Sequence, residues 1–507
     1  MNLKTIVQGF GVASSVLILR LWPHLSSYHP VVYHSFLPMR TVIWGVLLDL
    51  LVVSLAAALL FRYLEKSETG LRTAVWAFVA AELGSELVNA VSAMHRAPIP
   101  FLNSSVAYIV ILLAALLLRW LQPVGYRHAV RGFGVLLVLA GCCLVWMIPQ
   151  LLYQGLRAQR RDVLVPMRQS SALVSARTSP AAARGRIVWF IFDELSYDQT
   201  FEHRFPGLSM PEFDKFRSKS VVFTDLQPAG YYTDRVIPAL FLGKPIDNLR
   251  SNLDGQPMVQ VAGNKHWQAF DPQATLFADA QHLGWTTGVV GWYNPYCRIL
   301  AGTLNYCFWR MGDGQSDGAI PDRTAIQNAL APVAETWRQL QHEPTFPQEK
   351  HAQDLAAVMP RAEDLLRDES IRFVLIHLPI PHPPGIYDRR PGHLRPTGSY
   401  IDNLALADLS FGKLISVLNS TTGAEKATVI VCSDHSWRVP LWRATGSWTA
   451  EDETASHGRF ETRPVLMIHF PGQESQHDVT ASFDELRLHE IIENMLRGQE
   501  TGFTPAP

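Results

Sequence analysis

Apolar residues follow two regimes along the 507-residue chain. Before about residue 155 they form long blocks, at 5–22, 39–62, 73–94, 102–121 and 131–153. Most approach or exceed the roughly 20 residues an α-helix needs to cross a bilayer. Five transmembrane helices are therefore predicted. The third block contains Glu82 and Glu86, and carboxylates at that depth must face other helices or a wet cavity. The first block has no small-residue cleavage site leading into a polar domain, so it reads as an uncleaved span. From residue 186 the apolar runs shorten to strand length: RIVWFIF, SVVFT, WTTGVV, IRFVLIH, ATVIVC and PVLMIHF. They are rich in β-branched and aromatic residues. Helix-like stretches at 322–342, 353–368 and 401–419 separate several of them. Near-continuous apolar strands alternating with helices predict a mainly parallel sheet covered on both faces. The expected organisation is an α-helical transmembrane bundle at 1–155, a basic Ser/Ala-rich juxtamembrane linker at 156–185, and an α/β domain at 186–507.

Composition sharpens this picture. Hydrophobic residues reach 48% and charged residues 18%, and the apolar excess lies in the first 155 residues. A net charge of -1 gives no encouragement to a nucleic-acid partner. Arg62, Lys66 and Arg72 occupy the second connection, and Arg119, Arg127 and Arg131 the fourth. The first and third hold little beyond Arg40 and Arg96. The positive-inside rule then makes the second and fourth connections cytoplasmic and places the α/β domain outside. Arg157, Arg160 and Arg161 run against that assignment, although such a group can lie along anionic headgroups. Among the five cysteines, Cys142 and Cys143 read as packing residues and Cys432 as a buried strand residue. Cys297 and Cys307 flank a short segment, as a disulfide in an oxidising compartment or as two free thiols.

Polar residues collect where the strand-like runs end. RIVWFIF leads into Asp193-Glu194, IRFVLIH ends at His377 and leads to His382, and ATVIVC leads into Ser433-Asp434-His435. Open α/β sheets bind ligands beyond the carboxyl ends of their strands. Each group alone reads as a loop cap; together they predict one shared site.

Four segments carry a family resemblance: FIFDELSYD; MPEFDKFRSKSVVFTDLQPAGYYTDRVIPALFLGKP; HLPIPHPPGIYDRRP with YIDNLALAD; and VIVCSDHS with HGRFETRPVLMIHFPG downstream. Over about 190–475 the chain resembles the sulfatase-like branch of the alkaline phosphatase superfamily. In layout it is most similar to membrane phosphoethanolamine transferases and lipoteichoic acid synthases. The resemblance implies an alkaline phosphatase/sulfatase-like α/β fold and a nucleophile at Thr233, followed ten residues later by Gly243. Formylglycine sulfatases carry Cys or Ser at that position, followed by Pro and Arg. Here Asp234 and Arg235 follow Thr233, so formylglycine chemistry is disfavoured.

The same resemblance implies a divalent cation, Zn or Mn, held by Asp193, Asp434 and His435 with Thr233 as a further ligand. Hard carboxylates plus an imidazole suit either ion. Glu194 is either an additional ligand or a supporting residue. A Thr hydroxyl is a weak nucleophile at neutral pH and needs such activation. His382 is expected to hold phosphate oxygens or protonate the leaving group. His377 either shares that role or caps the core. His457 falls at the second-metal or substrate position. Arg235 and Arg463 either pair with phosphate oxygens or lie on the surface. Trp437, Trp442 and Trp448 either line a lipid-facing entrance or pack internally. Ser436 stands where the family has Gly, and Trp437-Arg438 replaces the transferases' acidic continuation.

The implied activity is a phosphotransferase of the inner membrane, multi-pass, with its catalytic domain periplasmic. It would move a phospho-headgroup, such as phosphoethanolamine or glycerophosphate, from a membrane phospholipid donor to a glycan or lipid acceptor through phospho-threonine. Alternatives are a sulfatase-like hydrolase of phosphodiesters or sulfate esters, and a non-enzymatic membrane binding module.

Overall fold

The structure is a computed structural model that describes residues 3–25, 39–65, 73–80, 105–157, 185–251, 257–310 and 346–503. The chain divides into two compact units, a helical one within residues 1–162 and an α/β one beginning after them. Residues 158–184 of the expected linker, the helix-like stretch at 322–342, and Glu82 and Glu86 lie outside the described residues.

The helical unit contains α1 (Leu3–Leu25), α2 (Met39–Glu65), α3 (Ser105–Leu121) and α4 (Pro123–Arg157), with a further helical stretch at 73–80. Glycines let α1 approach its neighbours. A Cβ on Gly11 would lie 1.9 Å from Leu137 O, one on Gly141 2.4 Å from Val7 O, and one on Gly9 2.4 Å from Ser54 O. Small residues at such contacts allow backbones to close on each other, the packing mode of helices in lipid. Ala13, Ile43, Val46, Leu50, Leu144, Met147 and Leu151 form the buried seam. Leu51, Leu55, Val135, Leu139, Val145 and Trp146 point outward and are exposed. Among the described residues, two helices, Ile43–Leu64 and Pro123–Tyr153, are long and apolar enough to cross a membrane, and Val110–Leu121 is a shorter apolar helix. These helices point to membrane association.

The α/β unit is built on an eight-stranded sheet. Its strands are β1 (Ile187–Phe192), β2 (Val221–Phe223), β3 (Thr287–Trp292), β4 (Tyr306–Arg310), β5 (Phe373–Leu378), β6 (Thr428–Ser433), β7 (Leu466–His469) and β8 (His477–Val479). They lie in the order β8-β2-β7-β6-β1-β5-β3-β4. The block from β6 through β1, β5 and β3 to β4 is parallel; β7 runs antiparallel to β6 and to β2. Every residue of β1, β3 and β5 is buried. That follows from their unbroken apolar runs and from cover on both faces. The fold is the mainly parallel, helix-covered sheet expected from the sequence. Cys297 forms a disulfide with Cys307 of β4.

Helices α5 (Pro211–Arg217), α6 (Thr233–Leu242), α7 (Leu276–His282), α8 (Phe346–Arg367), α9 (Tyr400–Asn419), α10 (Ala450–Ser456) and α11 (Leu488–Arg497) complete the unit. Phe190, Phe192 and Phe213 meet Phe411 of α9, with the Phe213 and Phe411 rings stacked at 4.9 Å. The first turn of α5 is capped from α9: Phe213 N donates to Asp408 Oδ1 at 2.8 Å and Glu212 N to Oδ2 at 3.3 Å.

Asp408 is 1% exposed, and burial raises its pKa to about 6. An Asp in the unfolded chain titrates near 4. The folded state therefore holds this proton more tightly, and Asp408 makes stability fall as pH rises from about 4 to about 6. The slope is at most about 1.4 kcal/mol per pH unit. Asp408→Asn keeps an acceptor oxygen for the α5 cap and should flatten that slope, as read by thermal unfolding across the window. In the helical unit, Gly11→Val should lower the unfolding temperature of the α1 contacts by forcing α1 away from α4.

Candidate active site

Strand register creates the site. Phe192 is level with Ser433 on one side and with Leu378 on the other. The next residues, Asp193 and Asp434, therefore leave adjacent parallel strands side by side. His377 is level with Ile191 and shares the face of residue 193, because alternate strand residues point the same way. Thr233 is the first residue of α6, whose C-cap Gly243 adopts a left-handed φ of 63°. A Cβ on Gly243 would come within 2.7 Å of the His489 ring, so glycine suits this helix end on both counts.

These elements bring five predicted residues together. Thr233 Oγ1 lies 3.1 Å from His435 Nε2 and 3.4 Å from Asp193 Oδ2. His435 Nε2 is 3.1 Å from Asp434 Oδ2, and His377 Nε2 is 3.6 Å from Asp193 Oδ2. Ligand atoms of Asp193, His377 and Asp434 lie within 4.8 Å of one another. Thr233 is 4% exposed, His435 2%, and the other three 0%.

The second contacts orient each ring and carboxylate. Asp434 Oδ1 accepts from His435 N at 2.9 Å and Glu194 N at 3.2 Å. His435 Nδ1 lies 3.1 Å from Ser436 O, a carbonyl that can only accept, so the ring proton sits on Nδ1 and the Nε2 lone pair faces Asp434 and Thr233. Tyr296 Oη is 2.6 Å from His377 Nδ1. Asn294 Nδ2 donates to Thr233 O at 3.2 Å, which anchors the start of α6. Burial holds His377 at a pKa of about 4. Burial, reinforced by the Arg438 charge, lowers His435 to about 3. Both imidazoles are thus neutral near pH 7, the form that coordinates a metal.

The residues fit a divalent cation on their own chemistry. His377 Nε2 and Asp434 Oδ2 are buried and make no hydrogen bond. Acceptors of Asp193, His377, Asp434 and His435 converge there beside the Thr233 hydroxyl. Buried acceptors facing each other are costly unless a positive charge lies between them.

The other predicted residues divide. Glu194 is fully buried at a left-handed φ of 63°. Its carboxylate accepts from Arg438 Nε at 2.5 Å and from Trp442 Nε1 at 2.9 Å. Glu194 is thus engaged by a guanidinium and an indole. His382 Nε2 lies 3.9 Å from Glu194 Oε1 and 3.3 Å from Arg438 Nη2. Burial first, then Arg438, holds its pKa well below the ordinary imidazole value. A neutral His382 suits a hydrogen-bonding role better than proton donation as an imidazolium. His457 is exposed at the end of α10 with φ 48° and is not among the gathered side chains. Arg235 lies over the Tyr232 ring at 4.8 Å. Arg463 pairs with Glu202 and Glu461 and serves the fold. Trp437 stacks on Tyr400 at 4.1 Å and is 2% exposed, so it packs internally, with Trp448 against it.

Sequence reasoning missed Arg438, Tyr296, His351 and Trp292. His351 is fully buried on α8, with its ring 5.8 Å from His382 and 5.5 Å from Trp292. Arg438 had a legible signal, since it lies three residues beyond His435. Trp292 ends β3 and so had a strand-end position as its signal; Tyr296 and His351 had none, because α8 and the segment after β3 reach the site only through tertiary packing.

The Sulfatase family model matches residues 186–490, which is most of the chain. The chain belongs to the Sulfatase family. Members of this family are enzymes, and divalent-metal use is a property of the superfamily. No curated protein matches this Sulfatase-family chain. Similar solved structures lie in the alkaline phosphatase/sulfatase superfamily. One is PsFucS1 sulfatase from Pseudoalteromonas sp., at 14% identity and TM-score 0.43, covering 64% of this chain and 70% of that one. Another is the phosphonate monoester hydrolase of Agrobacterium radiobacter, at 12% identity and TM-score 0.38, covering 62% and 74%. A third is murine ectonucleotide pyrophosphatase/phosphodiesterase 5, at 10% identity and TM-score 0.36, covering 64% and 96%.

Tyr296→Phe removes the hydroxyl that orients His377. It should weaken divalent-metal binding by about 10–100-fold, as second-contact changes at metal sites do. Chelator competition on the folded variant measures this; unchanged affinity would place His377 outside the metal's reach.

Proposed function

We propose that this Sulfatase-family enzyme transfers a phospho-headgroup through a covalent intermediate on Thr233. One observation carries the reading: the Thr233 hydroxyl, at the first residue of α6, sits 3.1 Å from His435 and 3.4 Å from Asp193. Threonine cannot become formylglycine, so direct attack by the side-chain hydroxyl is the chemistry left to this position. A divalent cation, Zn or Mn by the donor set, would be held by Asp193, Asp434, His435 and Thr233 with His377 beside them. When bound it supplies Lewis-acid polarisation of the ester and eases loss of the hydroxyl proton.

The remaining work falls to side chains. Thr233 Oγ1 forms the new bond to phosphorus as the P–O bond to the leaving alcohol breaks. Asp193 Oδ2 is the acceptor toward which the hydroxyl donates its proton, and that proton is what the departing alkoxide needs. The N-terminus of the ten-residue α6 favours the negative charge of the phosphoryl group. His382, neutral and buried, is placed to hold a phosphoryl oxygen. A second alcohol then attacks phosphorus, and the P–O bond to Thr233 breaks as the side chain regains a proton.

The donor we propose is a membrane phospholipid and the acceptor a glycan or lipid. The two membrane-length apolar helices support access to a bilayer. The Cys297–Cys307 disulfide supports an oxidising, periplasmic location for the catalytic domain of an inner-membrane multi-pass protein. The family match favours a second reading, in which water replaces the acceptor and the enzyme is a phosphodiester or sulfate-ester hydrolase.

Intact-mass spectrometry after incubation with phospholipid vesicles tests the first reading. An adduct on Thr233 with the mass of a phospho-headgroup is expected. Thr233→Ala should abolish it while keeping the fold and most of the metal. Undiminished turnover in that variant would refute the assignment, and release of the adduct by water alone, with no acceptor dependence, would select the hydrolase.

A further inference from the structure

Four helical segments enclose a cavity of about 120 Å³ within the helical unit. Its walls include Lys4 and Gln8 of α1, Phe61 of α2, Trp76 of the 73–80 stretch, and Arg131 and Gly134 of α4. The Phe61 ring stacks on Trp76 at 5.0 Å, and Phe133 meets Trp76 in a T-shape at 5.7 Å. The start of the Trp76 stretch is pinned, because Thr73 Oγ1 accepts from Arg119 Nη1 at 2.7 Å and from Tyr126 Oη at 3.1 Å. Gln8 is 7% exposed, and its Nε2 donates to Gly134 O at 3.3 Å. A Cβ on Gly134 would lie 2.8 Å from that nitrogen, so glycine leaves the amide its place. Lys4 and Arg131 are exposed. Among the described residues no carboxylate lines the cavity, and neither cation has an anionic partner.

We infer that this cavity binds the phosphate of an anionic phospholipid headgroup on the cytoplasmic side of the membrane. The inference rests on reading the helical unit as membrane-embedded. The positive-inside rule assigns the amino end of α1 and the connections at 62–72 and 119–131 to the cytoplasmic side, and the lining residues come from that end of the helices. Tryptophan is favoured at headgroup level there, and basic pockets between membrane helices on that side hold acidic headgroups. Lys4 lies in the first turn of the 23-residue α1, whose amino end adds positive potential. One water takes up about 30 Å³ of liquid, so the cavity has room for a group of several heavy atoms. Charge selects the headgroup. An ethanolamine ammonium would meet two cations and no carboxylate, whereas glycerol hydroxyls can bond the Gln8 amide. Leu3, Leu60 and Tyr63, sequence neighbours of the lining residues, are exposed on the helix surfaces, where acyl chains would lie. That apolar surround favours a lipid over free phosphate.

Native mass spectrometry of delipidated full-length protein in detergent reads this binding directly. Titration with phosphatidylglycerol should give a tightly retained lipid, and phosphatidylethanolamine with the same acyl chains should bind more weakly. Lys4→Gln and Arg131→Gln should each weaken phosphatidylglycerol binding about fivefold, and together about 25-fold, the worth of one and two basic residues at a membrane surface. Arg127→Gln, an exposed arginine on α4 that does not line the cavity, should leave it unchanged. Circular dichroism checks the fold, and if the double variant does not fold, Lys4→Gln alone decides by the same criterion. Unchanged affinity in the folded double variant overturns the proposal, as does an equal loss in Arg127→Gln. Equal affinity for phosphatidylethanolamine overturns the anionic headgroup, and displacement of the lipid by equimolar inorganic phosphate overturns the lipid. The titration is repeated in Thr233→Ala, where retention should persist. Loss there would put the lipid at the catalytic site and overturn this assignment while leaving the catalytic reading standing.

Discussion

Electron-pair donors meet in a dry pocket at the carboxyl ends of β1, β5 and β6, and the α/β unit is arranged around the cost of that meeting. Asp193, Asp434, His377 and His435 bring oxygens and imidazole nitrogens close together, with His377 Nε2 3.6 Å from Asp193 Oδ2 and His435 Nε2 3.1 Å from Asp434 Oδ2, all at 2% exposure or less. Water cannot screen them, and burial keeps the two imidazoles neutral. Such a cluster persists only if cations compensate it. Arg438 supplies one positive charge from within the chain. The donor geometry suits a divalent ion for the rest.

A polar net ties this cluster to the sheet. Ser433 Oγ accepts from Leu195 N at 2.7 Å and lies 2.8 Å from Phe192 O and 2.7 Å from His435 O. Tyr400, at the start of α9, donates its hydroxyl to Glu194 O at 2.7 Å. A left-handed φ costs a non-glycine residue on the order of 1–3 kcal/mol and persists only where neighbours over-determine it. At Glu194 those neighbours are Asp434 on its N–H, Tyr400 on its carbonyl, and Arg438 with Trp442 on its carboxylate. The strained residue is thus held by the helix and strand that also position the nucleophile's surroundings.

The aromatic residues around the site serve this arrangement. Trp437 on Tyr400 closes the α9 side, and Trp292 lies 5.1 Å from the His382 ring and donates its indole N–H to Asp354. The tryptophans that follow the Asp434-His435 motif are therefore wall and support: Trp437 is in the core and Trp442 bonds Glu194. Tight apolar packing around the charges removes the solvent that would otherwise weaken each of these interactions.

The sequence by itself determined the strand runs, the mainly parallel sheet, and the gathering of Asp193, Asp434 and His435 at strand ends, whereas Thr233 entered only through the family resemblance. It could do so because apolar runs of strand length and polar residues at their ends are local patterns, and strand-end chemistry converges whenever the strands are parallel neighbours. Tertiary structure alone decided what each polar side chain faces. His377 joined the cluster because β5 lies next to β1 in register. Glu194 was turned to a guanidinium because its backbone is left-handed, and His351 arrived on a helix that no strand pattern announces. Those outcomes depend on contacts between residues tens to hundreds of positions apart, and a one-dimensional pattern carries no measure of such distances.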